Sequence, residues 1–418
     1  MHVALVAPNS YSWIVAYFAL FAVGNTVILI NPDMPVDVLE EQFAYADVSV
    51  VCSCCTENHY EQSNSGRKWI TFEEMISAEP CSELQLYDWQ PHETVAMMFT
   101  SGTTGKGKVV EYTAENIFSH LDDLEARQNY QYTKMMLVAP LYHIMGISTV
   151  MARIILRYTI CIGRGARYII SDIPVLNPSN IMMPPAVLES IVKLLKKAEV
   201  EERPKYIGKN LERISVGGAA VNKELLRYMM QLGIVVETGY GMTETAGAGT
   251  GCELDENNIT TNGKPYGKTQ MRVCNGELQI KSPSLMKGCY KDPEETARVI
   301  EDGWIHTGDM GYCDDDGYYY ITGRKKNVII LSNGENVNPE EIEAAWGTCK
   351  AIEECLVYSN GRGICADVYT KDPEAASVYI NNYNESMPMY RQVYKVNYTD
   401  QPLPKTASGK IIRKENRQ

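Results

Sequence analysis

The chain is short of positive charge. Among its 418 residues, 39 lysines and arginines stand against 52 aspartates and glutamates, a formal net charge of -13. That deficit argues against broad, non-specific binding to nucleic acid or to an anionic membrane, although a local basic patch escapes a whole-chain sum. A long internal repeat and a low-complexity linker are missing from the sequence, and no secretory leader is expected. The 12 cysteines are scattered and form no evident disulfide framework, which fits a reduced, cytoplasmic setting. Cys52, Cys54 and Cys55 resemble half of a metal cluster, but no second pair at a sensible spacing follows. One uncharged run, Tyr11–Ile30, passes a crude filter for a membrane span. It contains Ser12, Gly24, Asn25 and Thr26 and divides at Gly24, so the expectation is a buried helix and a strand, with no stable membrane span.

The length supports at least two domains. Val3–Val6 reads as a strand, Trp13–Val23 as a helix and Val27–Ile30 as a second strand before Asn31–Pro32. Asp37–Ala46 and Val48–Val51 repeat the alternation, which predicts α/β layers around a partly parallel sheet. Val95–Phe99 reads as a buried strand, Thr113–Gln128 as a polar-faced helix and Met135–Ala139 as another strand. Pro184–Lys197 and Asn222–Leu232 read as helices on either side of the strand Arg213–Val216. Beyond Gly263 the elements shorten, with strands at Glu277–Ile280, Tyr318–Thr322 and Val328–Leu331. A boundary near Gly323–Lys326 separates a large domain, residues 1–325, from a smaller α+β domain, residues 326–418.

Four polar segments could carry chemistry. Ser101-Gly102-Thr103-Thr104-Gly105-Lys106-Gly107-Lys108 follows a strand; its glycines let backbone amides approach an anion, and its hydroxyls and lysines add donors. It lacks the GxxxxGK[ST] spacing of a Walker loop, and on its residues alone it also reads as a surface loop. In the loop Thr238–Glu244, Gly239 and Gly241 flank Tyr240, whose ring could cover a planar base, while Thr243 and Glu244 could meet phosphate and magnesium; structural packing explains the glycines equally well. His306–Asp309 reads as a turn whose carboxylate could accept two ribose hydroxyls or simply close its own turn. Lys405–Lys410 ends in a Gly-Lys pair that could place Lys410 against an anion, or leave it in solvent.

Taken in order, Ser101–Lys108, Leu141–Gly146, Val216–Ala220, Gly239–Glu244, His306–Asp309, Gly323–Asn327 and Pro404–Lys410 resemble the motif series of the adenylate-forming superfamily, which includes acyl-CoA synthetases, peptide-synthetase adenylation domains and luciferases. The resemblance spans nearly the whole chain. It implies a large layered domain with a mobile C-terminal domain, and ATP and Mg²⁺ as cofactors. Ser101, Gly102, Thr103, Thr104, Gly105 and Lys108 would hold phosphate, Thr243 would contact phosphate, and Glu244 would coordinate Mg²⁺. Gly218 and Tyr240 would shape the adenine pocket, Asp309 would bind the ribose, and Arg324 would approach the nucleotide. His143 would lie near the carboxylate pocket, and Lys410 would bridge the carboxylate and the α-phosphate. Lys326 matches the hinge, and the turn containing Gly334 and Glu335 would meet the thiol route after the small domain rotates.

Two departures accompany the resemblance. Gly107 stands where the family often has proline, and Val109 where glycine is common. Relatives also extend further before the point corresponding to Val3, which implies an amino-terminally shortened large domain. The tracts Pro283–Asp309 and Asn327–Glu343 look more like a free-standing acyl-CoA synthetase than a peptide-synthetase module. Ser148 and Thr149 stand where many amino-acid-activating domains carry an acidic anchor. The expected reaction is therefore ATP-dependent activation of a small carboxylic acid, a fatty acid ahead of an aryl acid, followed by thioester formation with CoA. Loading of a pantetheinylated carrier protein, or an inactive nucleotide-binding homologue, is the alternative.

Overall fold

The structure is a computed structural model that describes residues 1–54, 66–79, 83–100, 108–127, 134–219, 221–331, 335–405 and 411–413. The chain divides into two compact units, Met1–Met271 with Ile280–Ile305, and Arg272–Gln279 with His306–Gln418.

The first unit is α/β and, among the described residues, carries two seven-stranded sheets. In the first sheet, β1 (His2–Val6), β2 (Thr26–Ile30), β3 (Val50–Ser53) and β4 (Lys68–Thr71) pair in parallel, with β1 between β2 and β3. β5 (Thr94–Phe99) joins β2 in parallel, and β6 (Val109–Thr113) joins β5 antiparallel. β1, β2 and β5 read as continuous apolar runs because strands inside a parallel sheet are covered on both faces.

The uncharged run Tyr11–Ile30 resolves into α1 (Tyr11–Ala22) and β2, with Gly24 at a left-handed φ of 81° between them. Ser10 caps α1 by accepting the Trp13 N–H at 3.1 Å. At 12 residues α1 is about 18 Å long, well short of a hydrocarbon core. Among the described residues no helix is long and apolar enough to cross a membrane. β4 leads into the short helix α3 (Phe72–Ser77), which Thr71 and Glu74 close with a capping box; α2 (Val36–Tyr45) lies before β3.

The second sheet contains β7 (Lys134–Leu137), β8 (Thr159–Ile162), β9 (Asn180–Met183), β10 (Arg213–Val216), β11 (Val235–Gly241), β12 (Gly249–Glu253) and β13 (Lys264–Pro265). β9, β10 and β11 run parallel, so Met183, Val216 and Thr238 lie abreast at one end. β12 returns antiparallel to β11. The helix α4 (Ala114–Arg127) follows β6, and α5 (Ile144–Ile155) follows β7.

The second unit is α+β. Trp304–Cys313 pairs antiparallel with Tyr319–Arg324, from Asp309 opposite Arg324 to Cys313 opposite Tyr319. A three-stranded sheet of Glu354–Ser359, Ile364–Tyr369 and Val393–Thr399 packs with helices Pro339–Trp346 and Pro373–Ser386 over a core containing Ile342, Trp346, Val357, Val368 and Ile380.

Two segments differ from their sequence-based description. Gly239–Gly241 is the end of a strand, not a loop. An alanine methyl at Gly249 would sit 2.1 Å from the Tyr240 carbonyl oxygen, and one at Gly239 2.7 Å from that of Thr250, so the glycines let β11 and β12 lie unusually close. His306–Asp309 is likewise strand: it lies within Trp304–Cys313, beside the strand Glu277–Lys281, and side-chain bonds at Thr307 and Gly308 add to that pairing.

A small cavity of about 10 Å³ touches Tyr17, Met98, His120, Ile144, Ser148 and Ala246. His120 is almost fully buried there, and its Nδ1 has no hydrogen-bond partner among the described residues. Burial pushes the imidazole down to about 4. Because the folded value lies below the unfolded one, stability held above about pH 6.5 is lost as the pH falls toward 4, by up to about 3 kcal/mol. His120→Leu is expected to flatten the stability curve over that interval in urea unfolding; an unchanged slope would show that another group controls it.

Candidate active site

The carboxyl ends of parallel strands are where an open α/β sheet leaves room for a ligand. In the second sheet, the ends of β10 and β11 carry Gly217–Gly218 and Gly239–Glu244. Gly218 adopts a left-handed φ of 85° with open space where a side chain would point, so the requirement is on the backbone and not on packing. Tyr240, half-buried, lies opposite Thr250.

Thr243–Thr245 forms a single 3₁₀ turn just after β11. The Thr245 hydroxyl, fully buried, donates to the Ala248 carbonyl at 2.6 Å and holds the turn from below. The Tyr112 hydroxyl donates to the Thr243 carbonyl at 2.6 Å, and the Met286 N–H donates to the Glu244 carbonyl at 2.8 Å. In both cases a main-chain carbonyl is one point of anchorage. Burial, helped by the Glu244 charge, pushes the Tyr112 phenol well above its usual range. A half-buried carboxylate beside a threonine suits a hard cation that brings most of its oxygen ligands from phosphates, as Mg²⁺ does.

His143 is the N-cap residue of α5, extended and exposed, with its ring 4.8 Å from that of Tyr142. Gly146 presses the first turn of α5 against Pro140: a methyl there would fall 2.1 Å from the Pro140 oxygen. The apolar α5 was not legible as a helix because the successive residues Gly146–Arg153 are all buried, which erases the one-sided stripe.

Residues 101–107, and with them Ser101, Gly102, Thr103, Thr104 and Gly105, lie outside the described residues. Their flanks are ordered as a hairpin, with Phe99 opposite Val109 and the Thr100 N–H donating to the Lys108 carbonyl at 2.8 Å. Val109, a departure from the family pattern, is a buried strand residue. The Lys108 ammonium meets Glu295, which also holds Arg298. The Arg298 contact, reinforced by Lys108, outweighs burial and draws the Glu295 carboxyl down to about 2.

In the second unit Asp309 is buried and accepts from Arg324 Nε at 2.9 Å, while Arg324 is half-exposed. The Asp309 N–H donates to Thr307 Oγ1 at 3.0 Å, and Arg324 also reaches the Thr307 carbonyl at 3.2 Å. Lys326 is exposed within the short turn Lys325–Asn327. Glu335 is exposed, and its carbonyl accepts the Leu331 N–H at 2.9 Å, next to the two-stranded pairing of Ile329–Ile330 with Asn336–Val337. Gly334 and Lys410 lie outside the described residues. Tyr112, Glu277 and Glu295 were not singled out from sequence; an isolated polar side chain in a strand or short helix carries no distinguishing signal.

A model of the AMP-binding enzyme family matches residues 1–290, and one of the AMP-binding enzyme C-terminal domain matches residues 326–418. The chain belongs to the AMP-binding enzyme family. Among its relatives in the family are 2-succinylbenzoate–CoA ligases of Geobacillus, 29% identical over 100% of this chain and 87% of the relative, and of Oceanobacillus iheyensis, 27% identical over 99% and 88%. The Bacillus subtilis o-succinylbenzoate CoA synthetase, solved with its acyl-adenylate intermediate, superposes with a TM-score of 0.86 at 23% identity, covering 100% of this chain and 88% of that one. The architecture is thus the adenylate-forming enzyme fold, a large α/β domain with a smaller C-terminal domain.

Proposed function

We propose that this AMP-forming acid–thiol ligase activates 2-succinylbenzoate and transfers the acyl group to CoA. The observation that carries the choice of acid is the family members matched along essentially the whole chain, which are named 2-succinylbenzoate–CoA ligases. The fatty acid expected from sequence has no comparable support, and the same names favour CoA over a carrier protein.

The acid is ionised near neutral pH, so its oxygen needs no general base to attack the α-phosphorus of ATP. The new oxygen–phosphorus bond replaces the bond to the β-phosphate, and pyrophosphate leaves. A CoA thiol then attacks the acyl carbon, loses its proton, and AMP leaves. The first step brings a carboxylate against a phosphate, so charge neutralisation and positioning carry it, and positioning of the thiol carries the second. Mg²⁺, when bound through Glu244, would supply part of that neutralisation on the phosphate oxygens. In this reading Thr243 and the 101–108 segment restrain phosphate, Gly218 and Tyr240 border the adenine, and Asp309 takes the ribose hydroxyls with Arg324 nearby. His143, at the mouth of α5, arranges the carboxylate region. Lys410 bridges carboxylate and α-phosphate, Lys326 is the hinge at the start of a domain of residues 326–418, and Gly334 with Glu335 meets the thiol in the second step.

Pyrophosphate exchange into ATP across a panel of acids tests the assignment. The expected result is exchange dependent on 2-succinylbenzoate, with a kcat/KM at least about 10-fold above those for benzoate and for palmitate. Preference for palmitate, or exchange that ignores the acid supplied, contradicts it.

A further inference from the structure

Three successive residues of the strand Glu277–Lys281 hold three successive residues of the strand bearing Asp309. The Gln279 side-chain amide meets His306 Nδ1 at 3.0 Å, the Leu278 carbonyl accepts from Thr307 Oγ1 at 2.7 Å, and Glu277 Oε1 accepts the Gly308 N–H at 3.0 Å. Glu277 is the charged member of this set. Its other oxygen, Oε2, accepts from Lys325 Nζ at 2.8 Å and faces His306 Nδ1 at 3.3 Å. The side chain is only 6% exposed. Burial alone would raise its carboxyl, yet the Lys325, Gly308 and His306 contacts outweigh that and leave it below the ordinary value. It therefore stands as a buried carboxylate satisfied on both oxygens.

The placement is set by local chemistry. Asn275 and Gly276 both adopt positive φ, 51° and 77°, as the two central residues of a tight hairpin turn do. Glu277 is the first residue after that turn, so a rigid connection delivers it to Gly308. Gly308 itself has a left-handed φ of 69° and directly precedes Asp309.

We infer that Glu277 is a positioning residue: one oxygen fixes the backbone that presents Asp309, and the other tethers Lys325, the residue before Lys326. The inference rests on the reading of Asp309 as the nucleotide ribose ligand. Glu277 touches no reacting atom; it acts through Gly308 and Asp309. Replacing it by glutamine keeps an oxygen acceptor for Gly308 but removes the charge that holds Lys325. Replacing it by alanine removes both.

The test is the Kd for MgATP of the full chain, which needs no acid substrate, together with the melting temperature. Glu277→Ala is expected to weaken MgATP binding roughly 10-fold, and Glu277→Gln to restore it to within about 3-fold of the parent. Asp309→Ala, measured alongside, checks the underlying reading and is expected to weaken binding as well. Unchanged MgATP affinity in a folded Glu277→Ala protein overturns the inference, whatever Asp309→Ala does. Equal weakening in the alanine and glutamine variants overturns it too, because the conserved acceptor would then not matter. Unchanged affinity in Asp309→Ala overturns the ribose assignment instead.

Discussion

Lys410→Ala is expected to lower acid-dependent pyrophosphate exchange by about 100- to 1,000-fold while leaving thioester formation from supplied acyl-adenylate within about 3-fold of the parent. Lys410 is the cation assigned to the first step alone, where the carboxylate and the α-phosphate must approach each other. Residues 406–410 lie outside the described residues, but both sides of them are well fixed. Lys405 and Ile411 form an antiparallel bridge, and the Ile412 N–H donates to the Pro404 carbonyl at 2.8 Å. On one side Glu354 accepts the Leu403 N–H at 2.8 Å and pairs with Lys405 at 2.6 Å. On the other, Arg413 pairs with Glu343 and donates to the Val357 carbonyl at 3.0 Å. None of these contacts involves Lys410, and the melting temperature of the variant checks that the fold is kept. Equal loss of both half-reactions contradicts the assignment of Lys410 to adenylation.

Glu244→Gln is expected to lower the same exchange by about 100-fold and to raise the Mg²⁺ concentration needed for half-maximal rate. The substitution preserves shape, and glutamine retains the carbonyl that accepts the Met286 N–H. The melting temperature, measured alongside, separates loss of the charge from loss of the fold. Removing the Glu244 charge should also lower the Tyr112 phenol somewhat, although burial, the larger cause, still holds it high. Full exchange with an unchanged Mg²⁺ requirement contradicts a metal role for Glu244.

Much of the fold was legible because its signals are local. Val27–Ile30 and Val95–Phe99 are apolar runs bounded by breakers, and each lies in a strand of the first unit. Gly24 marked the change from helix to strand by interrupting an uncharged run, and its positive φ shows why. The exceptions involve partners distant in sequence. Gly239 and Gly241 look like loop residues until β12 is laid against them, when close backbone approach explains both. His306–Asp309 looks like a turn until Glu277 and Leu278 are found bonded to it.

The candidate site was legible in a different way. Thr243, Glu244, Asp309 and Arg324 came from the order of motifs, not from any one segment. The structure adds how the first two are anchored, through Tyr112 and Met286, and shows Asp309 bonded to Arg324 across a strand pair. Glu277 escaped sequence reading because its value lies in two contacts, to Gly308 and Lys325, that only folding creates.

The central claim is tested most directly by incubating the protein with ATP, Mg²⁺, CoA and 2-succinylbenzoate and identifying all products by mass spectrometry. The account predicts the CoA thioester of the acid together with AMP and pyrophosphate in equal amounts, and accumulation of the acyl-adenylate when CoA is withheld. Release of ADP and phosphate, or thioester formation with no acyl-adenylate when CoA is withheld, would contradict it.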